Sequence, residues 1–197
     1  MMPSTEGSSR AEFAKFDAVV AMRRDEDAEF LIRELQHTRA QVRHVWPLPD
    51  RLPEDTDVVF CGLEPGLPGR IPWVPGEPKA ALVVVLASGI MPDLDLLVNS
   101  APDAVLYRPI TRNGVLVSLV LARNHFAYDR RLRWRINKLD ESLRGMRAVE
   151  RAKQILMHTR QMGEEEAYRF MRGQAMKRRA PISAIAATII DSHEMLS

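Results

Sequence analysis

Short runs of apolar residues alternate with segments of helical periodicity through the first half of the chain. The apolar runs are four to eight residues long, and several are rich in β-branched side chains, as strands are. They predict strands at 16–22, 41–48, 57–61, 80–87 and 104–107. Helices are predicted between them at 25–38 and 92–99, and no strand pattern follows residue 111.

The segment 80–87, AALVVVLA, is apolar throughout, which is typical of a strand buried on both faces of a parallel sheet. Parallel neighbours need crossover connections. The alternation of strands and helices therefore predicts an α/β fold, a doubly wound parallel sheet of the flavodoxin/CheY-like type with strand order 2-1-3-4-5.

One crossover is rich in proline. The stretch at 62–78, GLEPGLPGRIPWVPGEP, contains five prolines, and a proline inside a helix removes a hydrogen bond and clashes with the preceding turn. We therefore expect an extended, partly polyproline segment in place of a helix. A docking surface anchored by Trp73 is one interpretation, and a loop that covers the sheet is the one we favour.

Helical residues without a proline run from 113 to about 158. Within them, apolar residues recur at alternating spacings of four and three, the 3.5-residue period of a left-handed coiled coil. These positions are Leu132, Ile136, Leu139, Leu143 and Met146. The alternative is an ordinary amphipathic helix packed on its own domain. Arginines occupy the rest of this helix surface, which disfavours such packing. The pattern predicts a dimerisation helix.

The last fifty residues predict a compact helical unit. The long helix continues to 160 and ends with Gly163 in the C′ role, and a second helix begins with three glutamates and runs to about 179. Pro181 opens a third helix at 182–191. The residues predicted to form the core are Ile155, Ala167, Met171, Met176, Ile182, Ile185, Ala186 and Ile189.

These patterns divide the chain into a flexible tail at 1–14, a receiver-like domain at 15–121, a coiled coil at 122–147 and a three-helix domain at 148–197. Charge separates the same regions. Residues 1–120 carry 12 basic and 17 acidic side chains, whereas residues 121–197 carry 16 and 9. This asymmetry favours either an acidic partner, such as a nucleic acid, at the basic end or simply a solvated helical surface, and charge alone does not decide between them.

Composition excludes several classes of protein. With 46% hydrophobic and 27% charged residues, the chain is not mainly disordered. Its longest apolar run is far too short to cross a bilayer, and its polar start is no signal peptide, so we expect a cytoplasmic protein. The single cysteine, Cys61, excludes a disulfide framework and a cysteine-based zinc site.

Phosphoryl transfer in a receiver-like domain needs two carboxylates after the first strand to hold magnesium and one after the third as the acceptor. The residues at those places are Met22, Arg23, Cys61 and Gly62. Asp25 and Glu26 come two to three residues too late, and Arg108 precedes Pro109 where a lysine is needed. The sequence therefore predicts a pseudo-receiver that is not phosphorylated. A shifted acceptor such as Glu64 is the alternative, which we do not favour.

No catalytic constellation is visible elsewhere. The chain has no GxSxG, HExxH, Walker or GxGxxG motif, and its five histidines are scattered singly. We therefore expect no enzyme, no cofactor and no metal site.

The C-terminal segment carries the most specific pattern. AVERAKQILM at 148–157, followed by MGEEEAYRFMRGQAMKRRAPISAIAATII at 162–190, resembles the ANTAR domain, the RNA-binding module of transcription antitermination regulators. Upstream, VRHVWPLP and DVVF resemble the amidase-type members of this group. The chain departs from the pattern at Gln154, at Gly173 and Gln174, and in the proline-rich stretch.

Basic residues of this segment could converge on one surface, where they would neutralise phosphates and contact loop bases. The predicted RNA-binding residues are Lys153, Arg169, Arg172, Lys177, Arg178 and Arg179. The alternative is that Lys177, Arg178 and Arg179 only complement the carbonyl end of a helix.

The resemblance implies that a homodimer binds two hairpin loops of a nascent leader RNA and stabilises an antiterminator. It also implies a ligand-sensing regulatory protein that docks on the pseudo-receiver. A DNA-binding atypical response regulator is the alternative, but it needs polar base-reading residues where ISAIAATII offers mainly apolar ones. A protein-interaction adaptor would bind neither nucleic acid.

Overall fold

The computed structural model describes residues 15–53, 55–74 and 77–195, and the predicted tail at 1–14 lies outside them. The chain forms two compact units, Met1–Arg130 and Arg131–Ser197, which divide inside its longest helix. The domain boundaries expected from the sequence stay predictions.

The first unit contains a five-stranded, fully parallel sheet with the order β2-β1-β3-β4-β5. Its strands are β1 (Phe16–Ala21), β2 (Ala40–Val45), β3 (Thr56–Gly62), β4 (Ala81–Leu86) and β5 (Ala104–Tyr107). The predicted fold and strand order are confirmed. β2 ends before its predicted limit at residue 48, because Pro47 has no N–H to donate to the ladder.

Helices cover both faces of this sheet. On one face, α1 (Glu26–His37) and the start of α4 (Arg112–Arg160) bury Leu31, Leu35, Val115 and Leu119 against the strands. On the other face lie α2 (Leu67–Arg70) and α3 (Leu94–Ser100). Every residue of β4 is buried, as its apolar pattern predicts.

The proline-rich stretch is not wholly extended, so that prediction is wrong for residues 67–70. Gly66, with a φ of 80°, turns the chain into the single helical turn α2. Pro68 is tolerated there because the first turn of a helix needs no N–H donor. Leu67, Ile71 and Trp73 are buried on the sheet, so the stretch covers the sheet and Trp73 is not free to anchor a partner.

Helix α4 begins close to β5. A Cβ added at Gly114 would lie 3.0 Å from Cδ1 of Leu106, so a larger residue there would require the leucine side chain to move by a few tenths of an ångström. The helix is 49 residues long, yet no helix of the described residues is long and apolar enough to cross a membrane.

The second unit packs the C-terminal part of α4 against α5 (Glu164–Arg178) and α6 (Ile182–Glu194). Its buried residues are Ala152, Leu156, Ala167, Met171, Ala175, Ile185 and Ala186. Two predicted core positions are wrong. Met176 is 72% exposed, and Ile155 is only half-buried because Leu156 faces the core instead.

The predicted C′ role of Gly163 is also wrong. α4 ends at Arg160, and Gln161 adopts the left-handed conformation with a φ of 54°. Gly163 is extended, with φ −70° and ψ 160°, and is the N-cap of α5. Pro181 is likewise the N-cap of α6 rather than part of its first turn.

Candidate nucleic-acid interface

The carboxyl edge of the sheet contains an internal ion-pair cluster. Nη1 of Arg108 lies 2.7 Å from Oδ2 of Asp25 and 3.1 Å from Oδ2 of Asp27. The other oxygen of Asp27 accepts the amide of Ile110 at 2.9 Å, and the Ser88 hydroxyl donates to the carbonyl of Arg108. Two carboxylates at this edge are therefore engaged by a cation of the chain itself.

Asp25 is also the N-cap of α1, where its side chain accepts the amide of Ala28 at 2.8 Å. Burial raises the pKa of Asp25, but the Ala28 amide and the Arg108 guanidinium outweigh it and hold this pKa below its usual value. At the end of β3, where a receiver has its acceptor, Cys61 is buried and burial raises the pKa of its thiol to about 12. No phosphoryl acceptor stands at that position.

Three of the predicted RNA-binding residues lie on one outward face of α5. Successive residues of a helix turn by about 100°, so Arg169, Arg172 and Lys177 fall within an arc of about 140°. This arc lies roughly opposite the buried stripe of Ala167, Met171 and Ala175. The exposed Met176 belongs to the same face, which is therefore basic with one apolar side chain.

Arg178 and Arg179 point elsewhere. Arg178 lies about 20° from Met171 around the helix axis and is exposed because it follows the last buried turn. Arg179 caps the helix with a φ of 50°, and its amide donates to the carbonyls of Ala175 and Met176. These two side chains surround the C-terminus of α5, where the helix dipole favours positive charge.

Lys153 is engaged inside the second unit. Its side chain is only 11% exposed, and Nζ lies 2.8 Å from Oε1 of Glu150 and 2.6 Å from Oε1 of Glu164. The hydrogen bonds that Lys153 donates to Glu150 and Glu164 raise the pKa of this lysine. This lysine joins α4 to the start of α5, and the structure does not bring it to the outward face as an unpaired cation.

The five residues of the predicted coiled-coil stripe are all exposed, by 37% to 64%. They fall within an arc of about 80° on α4 and extend over about 21 Å. Met146, at one end of the stripe, also borders a cleft lined by Pro181 and Ile182.

Sequence reasoning missed two exposed side chains of this unit. Met176 lies about 140° from Met171 around α5, a spacing that could have excluded it from the core. Trp134 is 61% exposed, and its signal was an aromatic residue within the basic run 131–138, RLRWRINK.

Comparison with known proteins agrees with this architecture. Residues 16–123 match the family model described as AmiR, N-terminal, and residues 137–190 match that of the ANTAR domain. The chain is 26% identical over 170 residues to the aliphatic amidase regulator of Pseudomonas aeruginosa, with 84% of this chain and 86% of that protein covered.

A solved structure, described as a low-resolution structure of the response regulator StyR, aligns with a TM-score of 0.54 at 13% identity. The alignment covers 91% of this chain and 100% of that one. At this identity the likeness supports a response-regulator-like fold.

Proposed function

The chain belongs to the family described as AmiR, N-terminal, and carries an ANTAR domain after that match, and on this premise we propose that it is an RNA-binding regulator of transcription antitermination. As a homodimer it binds hairpins in a nascent leader transcript and prevents premature termination. It acts by binding and not by catalysis. Its parts are the pseudo-receiver at 15–121, the coiled coil at 122–147 and the RNA-binding domain at 148–197.

The observation that carries this proposal is the outward face of α5. Arg169, Arg172 and Lys177 project away from the core, where they can reach phosphates without disturbing the packing. Within the described part of the chain, Arg172 and Lys177 have no ion-pair partner. Arg178 and Arg179 extend the positive charge around the end of the helix. Arginine can also stack on or hydrogen-bond unpaired loop bases.

The exposed stripe on α4 supports the dimer. Isolated helices bury an apolar stripe of this period against an equivalent helix, because each side chain then leaves water by inserting between four residues of the partner. A parallel pair would place two three-helix units side by side, which fits a target with two hairpins.

Control by a partner protein follows from the ion-pair cluster at the carboxyl edge of the sheet. Because Arg108 engages Asp25 and Asp27, and because β3 ends in Cys61 and Gly62 where an acceptor aspartate is required, phosphorylation is not the input. A ligand-sensing protein that docks on the pseudo-receiver supplies the signal instead.

The test begins with in vitro selection from RNAs that carry two stem-loops with randomised loops. The selected RNA is then compared with duplex DNA of the same sequence in gel shifts across a salt series. We expect tight binding to the hairpin RNA and only weak, strongly salt-dependent binding to the duplex. Equal affinity for both would favour the DNA-binding alternative, and no enrichment of any RNA would contradict the proposal.

A further inference from the structure

Trp134, the exposed tryptophan of the second unit, lies outside the outward face of α5 and outside the coiled-coil stripe of α4. Trp134 lies on α4, about 160° around the helix axis from the centre of the stripe. A dimer formed through the stripe therefore leaves this side chain in water. At 61% exposure, its ring presents an open aromatic surface.

The surroundings of Trp134 are strongly positive. Residues 131–138 contain four basic side chains and no acidic one. Arg131 precedes Trp134 by three positions and Lys138 follows it by four, so both are its neighbours on the helix surface. The ammonium of Lys138 lies 4.5 Å from the centre of the indole ring. This charge favours a polyanion over a neutral or basic protein surface.

An open cleft of about 730 Å³ continues from Lys138 along the same side of α4. Its walls include Ser142 and Val149 of α4, Tyr168 of α5 and Ile182 at the start of α6. Two carboxylates, those of Glu141 and Glu150, also line it, so its positive charge is confined to the end at Lys138. The two helices come close at Gly145, where an added Cβ would lie 3.3 Å from Cβ of Ser183. The cleft thus links Trp134 with a second partly exposed aromatic side chain, Tyr168.

We propose that this surface, formed by Arg131, Trp134, Lys138 and the cleft, binds a single-stranded segment of RNA. An unpaired base stacks on the indole ring of Trp134, and Arg131 and Lys138 contact the phosphates on either side. The neutral base of the next nucleotide enters the cleft toward Tyr168, and its phosphate stays at Lys138, away from Glu141 and Glu150. Aromatic rings in a basic groove bind single strands in this way with little sequence preference, because every base has a flat face.

The inference rests on the proposed function, since the single strand is the RNA that flanks the bound hairpin. It assigns to the outer side of the coil a contact that Arg169, Arg172 and Lys177 of α5 do not make. A hairpin with an unpaired flank should therefore bind more tightly than the same hairpin trimmed to its stem.

The experiment uses the full chain and an unstructured oligouridylate of about twelve nucleotides, within the usual range of single-strand site sizes. Tryptophan fluorescence should be quenched on binding, and Trp134→Phe should remove the quenching signal. Trp46→Phe is the matched control, because Trp46 is a partly exposed tryptophan of the other unit and should leave the signal intact. Trp134→Ala should weaken oligouridylate binding by about 5- to 150-fold.

Arg131→Ala and Lys138→Ala should each weaken binding and make the salt slope shallower by about 0.7. If circular dichroism shows that Trp134→Ala does not fold, Trp134→Leu repeats the test, because leucine is also a good helix former. The inference is overturned if the quenching persists in Trp134→Phe, or if folded Trp134→Ala binds oligouridylate as tightly as wild type. It is also overturned if Trp134→Ala dissociates the dimer, because the surface is then a contact between chains.

The double variant Arg172→Ala/Lys177→Ala separates this inference from the proposed function. It should lose affinity for the selected hairpin and keep the oligouridylate quenching of Trp134. If wild type binds no hairpin yet shows the quenching, the proposed function fails and the single-strand site remains. If wild type binds the hairpin and the unpaired flank adds no affinity, the single-strand site fails and the proposed function remains.

Discussion

The guanidinium of Arg108 lies 2.7 Å from the carboxylate of Asp25, although the two residues are 83 positions apart in the chain. The pair joins the loop after β5 to the N-cap of α1 at the edge of the sheet where receivers bind magnesium. A charge of the chain itself thus neutralises carboxylates that lie near the expected metal position.

The first prediction is that this domain does not respond to phosphoryl donors. Incubation with acetyl phosphate and magnesium, or with a beryllofluoride mimic, should leave the mass and the oligomeric state unchanged. The reason is that Cys61 and Gly62 are the last two residues of β3, where an acceptor aspartate is required. Mass spectrometry that found one phosphoaspartate per chain would disprove this.

A second prediction concerns pH. Asp103 accepts a hydrogen bond from the amide of Leu82 at 2.8 Å and lies 2.7 Å from Nδ1 of His125. The hydrogen bond to Asp103 raises the pKa of His125 above 6.5, and the charge of Asp129 adds to the rise. The stabilisation from this pair is therefore complete below about pH 6.5 and is lost as pH rises through the folded-state pKa.

Urea unfolding of wild type and His125→Gln at about pH 6 and about pH 9 measures this contribution. Wild type should exceed the variant in stability by more at the lower pH, because glutamine keeps a neutral donor and does not titrate. If the difference in stability between wild type and variant were the same at both pH values, the pair would contribute no pH-dependent stability.

The third prediction tests the stripe on α4. Replacing Ile136 and Leu139 together by aspartate would place like charges at the seam, which costs several kcal/mol, roughly the penalty of burying unpaired charge. Sedimentation should show a monomer, with the α/β unit still folded. Asn137→Asp, about 140° from the stripe centre, is the control and should remain a dimer. A dimeric double variant would place the interface elsewhere.

The fourth prediction separates Lys153 from the arginines of α5. Lys153→Ala leaves Glu150 and Glu164 without their shared cation, so the melting temperature of the second unit should fall. Arg172→Ala lies on the exposed face and should change stability by no more than about 0.5 kcal/mol. Calorimetry that found the two variants equally stable would contradict this assignment.

The strands could be predicted because their signal is local. The continuous apolar runs of β3 and β4 are compatible with few structures other than a doubly covered parallel sheet. The strand order followed from the usual arrangement of a five-stranded doubly wound sheet. The helical turn α2 could not be predicted from its prolines, because the outcome depended on Gly66 and on Pro68 falling in the first turn.

The candidate site was predicted only in part. Residue type and spacing identified α5 as a basic helix, but they did not indicate which cations are already paired. Glu150 lies three residues before Lys153 on the same helix. Glu164 lies eleven residues after it on the next helix, and that contact forms only in the tertiary fold, so the sequence does not show it. Trp134 was missed because its significance depends on the face of α4 that the stripe leaves exposed.

The central claim is that the outward face of α5 binds RNA, and the affinity of variants for the selected hairpin across a salt series tests it most directly. Arg172→Ala and Lys177→Ala should each weaken binding and make the salt slope shallower by about 0.7–0.9, because each removes one phosphate contact. Arg33→Ala, an exposed arginine of α1, should leave both quantities unchanged. If Arg172→Ala and Lys177→Ala both bind the hairpin as tightly as wild type at about 0.15 M salt, where exposed charges still act over about 8 Å, the account is contradicted.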